Sequence, residues 1–249
     1  MAQGRLVHGG SDFLGANSSA AVLGPDISAF GVGTETYAAT IDESGGILAL
    51  GTGTNDADNA VLATTAKFAP RDGKMVLKAR FKYDALTTVA IWCGWTETLD
   101  TTTPVMPSEF STATMTYNGS GGMMGICYDT NGTTDDFRAV MGDGGAAISD
   151  SGNGIRASAT LTADRWFEAE VVLNEDGSGE VYFGDSGHAR PNNEVQSGRL
   201  IKRFTTPGTL LTTTDLFYPC LMVETRTTAA STIEVDYLFW DCGRDWRYD

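Results

Sequence analysis

Two pairs of acids in this sequence have the type and spacing for chemistry. Glu234 and Asp236 lie in TIEVDYLFWD, and Glu168 and Glu170 lie in RWFEAEVV. On an extended strand, residues i and i+2 share a face, with Cα atoms about 6.6 Å apart. Two carboxyl groups at that reach suit acid–base or nucleophilic cleavage of a glycosidic bond. Acids are also the ordinary furniture of a solvated strand face. The chain carries 32 Asp and Glu against 17 Lys and Arg, a formal net charge of -15. At that balance the solvated-face reading is preferred, and no catalytic residue is assigned.

Other chemistry is sparse. His8 and His188 are the two histidines, and neither sits in a nucleophile context. The sequence has no G-x-S-x-G elbow, no H-E-x-x-H and no P-loop. Nothing supports a Ser-His-Asp triad built on His188. Asp56, Asp58 and Asn59, or Asp129, Asn131 and Asp135, offer oxygens to a calcium ion. Asp and Asn equally cap turns with their own side chains, and that reading is preferred. Cys93, Cys127, Cys220 and Cys242 are far apart in apolar runs and read as reduced, buried small hydrophobes. No metal or cofactor is expected. Trp92, Tyr128 and Phe137 are candidates for an aromatic platform that stacks on sugar rings, against a core or subunit-contact role, which is preferred.

These residues need elements to hold them, and the elements read as strands. In GKMVLKARFKYD, Met75, Leu77, Ala79, Phe81 and Tyr83 alternate with Val76, Lys78, Arg80 and Lys82, the pattern of a half-buried antiparallel strand. In TTVAIWCGWTET, Val89, Ile91, Cys93 and Trp95 share one face and Trp92 takes the other. GGMMGICYDT reads as a buried strand, and 99–119 as a long polar loop rich in Thr. RWFEAEVVLNEDGSGEVYFGD reads as a hairpin turning at Asp176-Gly177. In the closing strand Ile233, Val235, Tyr237 and Phe239 are expected in the core, with Leu238 and Trp240 opposite. Many short strands, polar turns and almost no helix predict a sandwich of two antiparallel sheets.

Residues 1–44 differ. Leu6, Phe13, Leu14, Val22, Leu23, Ile27 and Phe30 are scattered among Gly, Ala and Ser with no clean period. So many large apolar side chains argue against a solvated tail. They predict an extended arm, ordered on its own sandwich or on a neighbouring subunit, ahead of a sandwich at 45–249. The beginning, MAQGRLVHGGSDFLG, lacks the apolar core of a secretory signal. No run is long and apolar enough to span a membrane. The acidic balance disfavours a phosphate backbone as partner.

The order GGILALGTGTNDADNAVL, FAPRDGKMVLKARFKY and VAIWCGWTETLD resembles the opening strands of concanavalin A-like jelly-roll proteins, and among them a group of tailed-bacteriophage virion proteins. MGICYDTNGTTDDFRAV, RWFEAEVVLNEDGSGEVYF and TIEVDYLFWD resemble that group's later segments, so the likeness runs over about residues 45–241. It implies a capsid decoration or cement protein: a homo-oligomer, a trimer by preference, on the capsid surface after assembly in the host cytoplasm. Its partners would be the major capsid protein and copies of itself, met through the apolar residues of the arm. The alternatives are a glycan-binding, receptor-recognising module of a tail or fibre and, behind it, a glycan hydrolase or lyase. Laminarinase-like hydrolases of this sandwich carry Glu-x-Asp-x-Glu or Glu-x-Asp-x-x-Glu on one strand. Here Leu238 or Phe239 stands where the last Glu belongs, so the group that protonates the leaving oxygen is missing.

Overall fold

The computed structural model describes residues 5–11, 13, 23, 26–39, 46–83, 87–111, 114–118, 121–132, 135–143, 146–148, 154–155, 164–185, 199–204 and 214–244. Within them the chain forms eighteen strands. They are β1 (Arg5–Ser11), β2 (Ser28–Val32), β3 (Thr36–Ala39), β4 (Leu48–Gly51), β5 (Asn59–Ala63) and β6 (Met75–Tyr83). Next come β7 (Val89–Thr96), β8 (Ser108–Ser111), β9 (Thr114–Tyr117), β10 (Gly122–Asp129), β11 (Phe137–Asp143), β12 (Ala146–Ile148) and β13 (Gly154–Ile155). The rest are β14 (Phe167–Leu173), β15 (Gly179–Asp185), β16 (Arg199–Phe204), β17 (Tyr218–Thr225) and β18 (Thr232–Arg244).

Two eight-stranded antiparallel sheets face each other. The first runs β16-β15-β14-β6-β18-β4-β3, with β1 added alongside β18; the second runs β12-β11-β10-β7-β17-β5-β2, with β13 alongside β11. β4, β6, β14 and β18 belong to the first sheet, and β5, β7, β10 and β17 to the second. The chain therefore crosses the interior repeatedly, and the two inner faces share one core. β6 alternates buried and partly exposed residues along its length, and β14 does so over its first half, as one-sided strands must. Their inward residues meet an aromatic cluster of Tyr83, Tyr128, Phe137, Phe167 and Phe183, with ring centroids 4.3 to 6.2 Å apart. The Trp95 indole of β7 donates to the Val171 carbonyl of β14 at 3.1 Å, which ties the two layers polar-to-polar inside the core.

β7 and β10 are buried at every residue. Inward they feed the shared core; outward Ala90, Trp92, Met123 and Cys127 join Val61, Ala63, Val140, Cys220 and Met222 in a second apolar cluster. That outer cluster is roofed by Met106 and Phe110. The stretch expected as a polar loop at 99–119 is thus a strap, with β8 and β9 paired as a hairpin across the outside of the second sheet. Met106 and Phe110, at a spacing of four, are the buried part of its underside, and Leu99, Met115 and Tyr117 pack beside them.

The expected hairpin β14–β15 is present, its turn closed by Asn174 N–H to Ser178 O at 2.8 Å and Gly177 N–H to Asn174 O at 2.9 Å. Gly177 takes a positive φ of 79° there, which glycine adopts without a Cβ clash.

Residues 1–44 contribute β1 to the first sheet on β18, β2 to the second on β5, and β3 to the first on β4. Phe13, Leu23 and Ile27 are buried in the shared core, and Phe30 packs on the outer cluster. Leu6 lies in β1 opposite Gly243; Leu14 and Val22 lie outside the described residues. Gly9 has a steric reason: a Cβ there would sit 2.3 Å from the Trp240 ring.

Candidate functional site

The outer face of the first sheet is where the acid pairs are found. β6 lies between β14 and β18, with Glu168 opposite Arg80, Glu170 opposite Lys78 and Glu234 opposite Lys82. This register lines up a row of cations between two rows of anions. Lys78 meets Glu170 at 3.2 Å, Lys82 meets Glu234 at 2.8 Å, and Arg80 pairs with Asp236. Cross-strand pairing of opposite charges is the ordinary stabilising arrangement of a wet sheet face. Both acids of the Glu234–Asp236 pair are held by a cation.

The closing strand departs from strict alternation. The β18–β6 ladder shifts register between Val235 and Tyr237. Asp236 is the extra residue of a β-bulge, which turns every later side chain over. Leu238, Trp240 and Cys242 therefore enter the core, while Phe239 is 40% exposed. This reverses the expectation that Tyr237 and Phe239 face inward with Leu238 and Trp240 outside. The two outward rings stack, with centroids 5.5 Å apart.

A third aromatic joins them. Trp166, just ahead of β14, shares the face of Glu168 by the two-residue period. Its indole lies 4.6 Å from the Arg80 guanidinium and 5.2 Å from the Lys82 ammonium, both in cation–π geometry. Tyr237 is hydrogen-bonded to Glu168. Glu168 is pushed above the usual carboxylate range, chiefly by burial, against the pull of Arg80. The centre of the face is thus an indole, a stacked pair of rings, a guanidinium and two carboxyls within one cross-strand neighbourhood. Such a surface offers stacking together with hydrogen-bond donors and acceptors. Trp166 was legible in RWFEAEV: if Phe167 is core, Trp166 and Glu168 are not.

A second polar constellation is buried at one end of the second sheet. Arg226 is 7% exposed and reaches three carboxylates from three elements: Asp129 of β10 at 2.7 Å, Glu224 of β17 at 2.5 Å and Glu109 of β8 at 2.9 Å. Asp129 also accepts the Phe110 N–H at 2.7 Å and the Asn131 N–H at 2.9 Å. Asn59 donates to the Pro104 carbonyl at 2.8 Å and faces Glu224 at 3.5 Å. Burial raises the Glu224 carboxyl to about 7, with Arg226 opposing and Glu109 and Asp129 reinforcing the rise. Two of the calcium candidates are engaged in such bonds: Asp129 with Arg226, and Asp58 with the Asn55 backbone and amide at 2.9 and 3.1 Å. Among the described residues, no group of three or more His, Cys, Asp or Glu is arranged to hold a metal ion.

Trp92, Tyr128 and Phe137 are fully buried. Tyr128 and Phe137 lie in the shared core and Trp92 under the strap, so the three present no ring to solvent. A platform assigned to them is corrected on that ground. The four cysteines are free and buried. His188 lies outside the described residues, and His8 pairs with Asp241 at the surface.

No family model matches the sequence, and no curated protein does either. Solved structures do match. A protein of unknown function from Shewanella oneidensis MR-1 superposes with a TM-score of 0.57 at 12% identity, covering 98% of this chain and 89% of that one. Peanut lectin in complex with a 9mer peptide gives 0.56 at 10% identity, covering 95% and 97%. The carbohydrate recognition domain of Emp47p gives 0.53 at 10% identity, covering 89% and 90%. Together with the two facing antiparallel sheets, these define the class: an all-β jelly-roll sandwich of the concanavalin A-like lectin fold.

Proposed function

We propose that the protein is a binding module that recognises a glycan on the outer face of its first sheet. The observation that carries the reading is the meeting of Trp166, Arg80, Glu168, Asp236 and Tyr237 there. A sugar ring has an apolar face that stacks on an indole and hydroxyls that need acceptors and donors at fixed places. Similarity to a lectin and to a carbohydrate recognition domain supports the same reading. A glycan array probed with the wild-type chain and with Trp166→Ala tests it. The wild type is expected to retain a defined set of glycans, and the variant to lose them while keeping its melting temperature. Retention by both proteins alike would remove Trp166 from the site, and an array empty for the wild type would overturn the reading.

A second reading is a structural virion protein on a phage capsid, contacting the major capsid protein and its own copies as a homo-oligomer. The order of segments resembling phage virion proteins supports it. With Phe13, Leu23 and Ile27 enclosed in their own core, its contacts would fall on exposed Val105, Leu216 and Phe239. The copy number in purified particles tests this: hundreds per particle fit a shell component, and absence from particles excludes it.

A further inference from the structure

We infer that the strap of residues 99–111 and 114–118 is a latched lid, which opens from the second sheet as a unit while the sandwich stays folded, with Arg226 as the latch. The argument starts from how the strap is held. Among the described residues β8 and β9 pair only with each other, so no backbone ladder joins them to the sheet beneath. Every other described strand is built into one of the two large sheets. Segments held without shared ladders are those that open below the global unfolding free energy.

Three polar ties of the strap converge. Glu109 meets Arg226, the Phe110 N–H meets Asp129, and the Pro104 carbonyl meets Asn59. Asp129 and Asn59 belong to the network that Arg226 centres, through Asp129 itself and through Glu224. Two further ties stand apart: the Cys127 thiol donates to the Ser108 carbonyl at 3.2 Å, and the Arg138 guanidinium of β11 lies 4.5 Å from the Phe110 ring. Beneath lies an apolar strip of Val61, Trp92, Cys127, Cys220 and Met222, sealed by Met106 and Phe110. Loss of the guanidinium removes the cation that Glu109 of the strap shares with Asp129 and Glu224, and the Glu109 and Asp129 carboxylates then repel each other across the lid's seam.

The cysteines provide the readout. Cys127 and Cys220 face the strip under the lid, whereas Cys93 of β7 faces the shared core on the other side of the same sheet. Pulsed alkylation of the full chain with iodoacetamide, mapped by mass spectrometry, separates lid opening from global unfolding. In the wild type Cys127 and Cys220 are expected to react at least about tenfold faster than Cys93. Arg226→Gln is expected to speed Cys127 and Cys220 by a further factor of about ten and leave Cys93 unchanged. Should that variant not fold, Glu109→Gln cuts the lid's side of the latch alone and is expected to act in the same sense, less strongly. Equal rates at Cys127, Cys220 and Cys93, in the wild type and in whichever variant folds, would overturn the proposal.

Discussion

At the scale of single residues the most informative group is Glu224. Its folded carboxyl titrates at about 7 against an ordinary 4.5, because it is buried at the seam between β17 and the strap. The unfolded chain releases this proton at lower pH than the folded one. Glu224 therefore stabilises the fold fully below about pH 4.5 and loses that contribution as the pH rises through 7. The loss is on the order of 3 kcal/mol at most, from the difference of 7 and 4.5 at 1.36 kcal/mol per unit. Glu224→Gln should flatten the change in denaturation midpoint between pH 5 and pH 8, read by urea titration at both values; a slope as steep as the wild type's would assign the dependence elsewhere. None of this network was legible from the sequence. Glu109, Asp129 and Glu224 lie on three separate elements, and no local spacing announces that a chain brings them to one arginine. The outward row of Lys78, Arg80 and Lys82 was legible, because two-residue alternation is a local property.

At the scale of elements the closing strand shows what alternation can and cannot carry. Its first half follows the two-residue period, with Ile233 and Val235 buried. Beyond Asp236 the phase inverts, since a bulge adds one residue without adding a partner. Nothing in TIEVDYLFWD marks the bulge except that the run has more large apolar residues than one face can hold. Deletion of Asp236 should leave the inward set Ile233, Val235, Leu238, Trp240 and Cys242 in phase, so that variant should fold with a loss of a few degrees in melting temperature. Deletion of Leu238 absorbs the bulge only by turning Tyr237 inward in its place, and should lower the melting temperature far more. Comparable melting of both variants would show that the register is set elsewhere. The strap was missed for a related reason. Thr-rich polar composition describes its outer surface, while its underside is formed by Met106 and Phe110 with Leu99, Met115 and Tyr117 packed beside them. In residues 1–44 the apolar side chains serve three strands in two sheets, which leaves no single period to detect.

At the scale of the whole molecule, sixteen of the described strands, in two sheets, enclose one shared core, and a strap covers the back of the second sheet. The fold class was legible because jelly-roll sandwiches repeat the same short-strand grammar along the chain. The proposed ligand surface was not, because the aromatics weighed as a platform in the sequence are buried. The site we propose is instead the outer face of the first sheet. Titration of isotope-labelled protein with a glycan retained on the array, followed by amide NMR, tests that placement most directly. Shifts concentrated at Arg80, Trp166, Glu168, Tyr237 and their neighbours on β6, β14 and β18 are the expected result. Shifts confined to the strap and to residues 226–231, or no shift with any retained glycan, would contradict it.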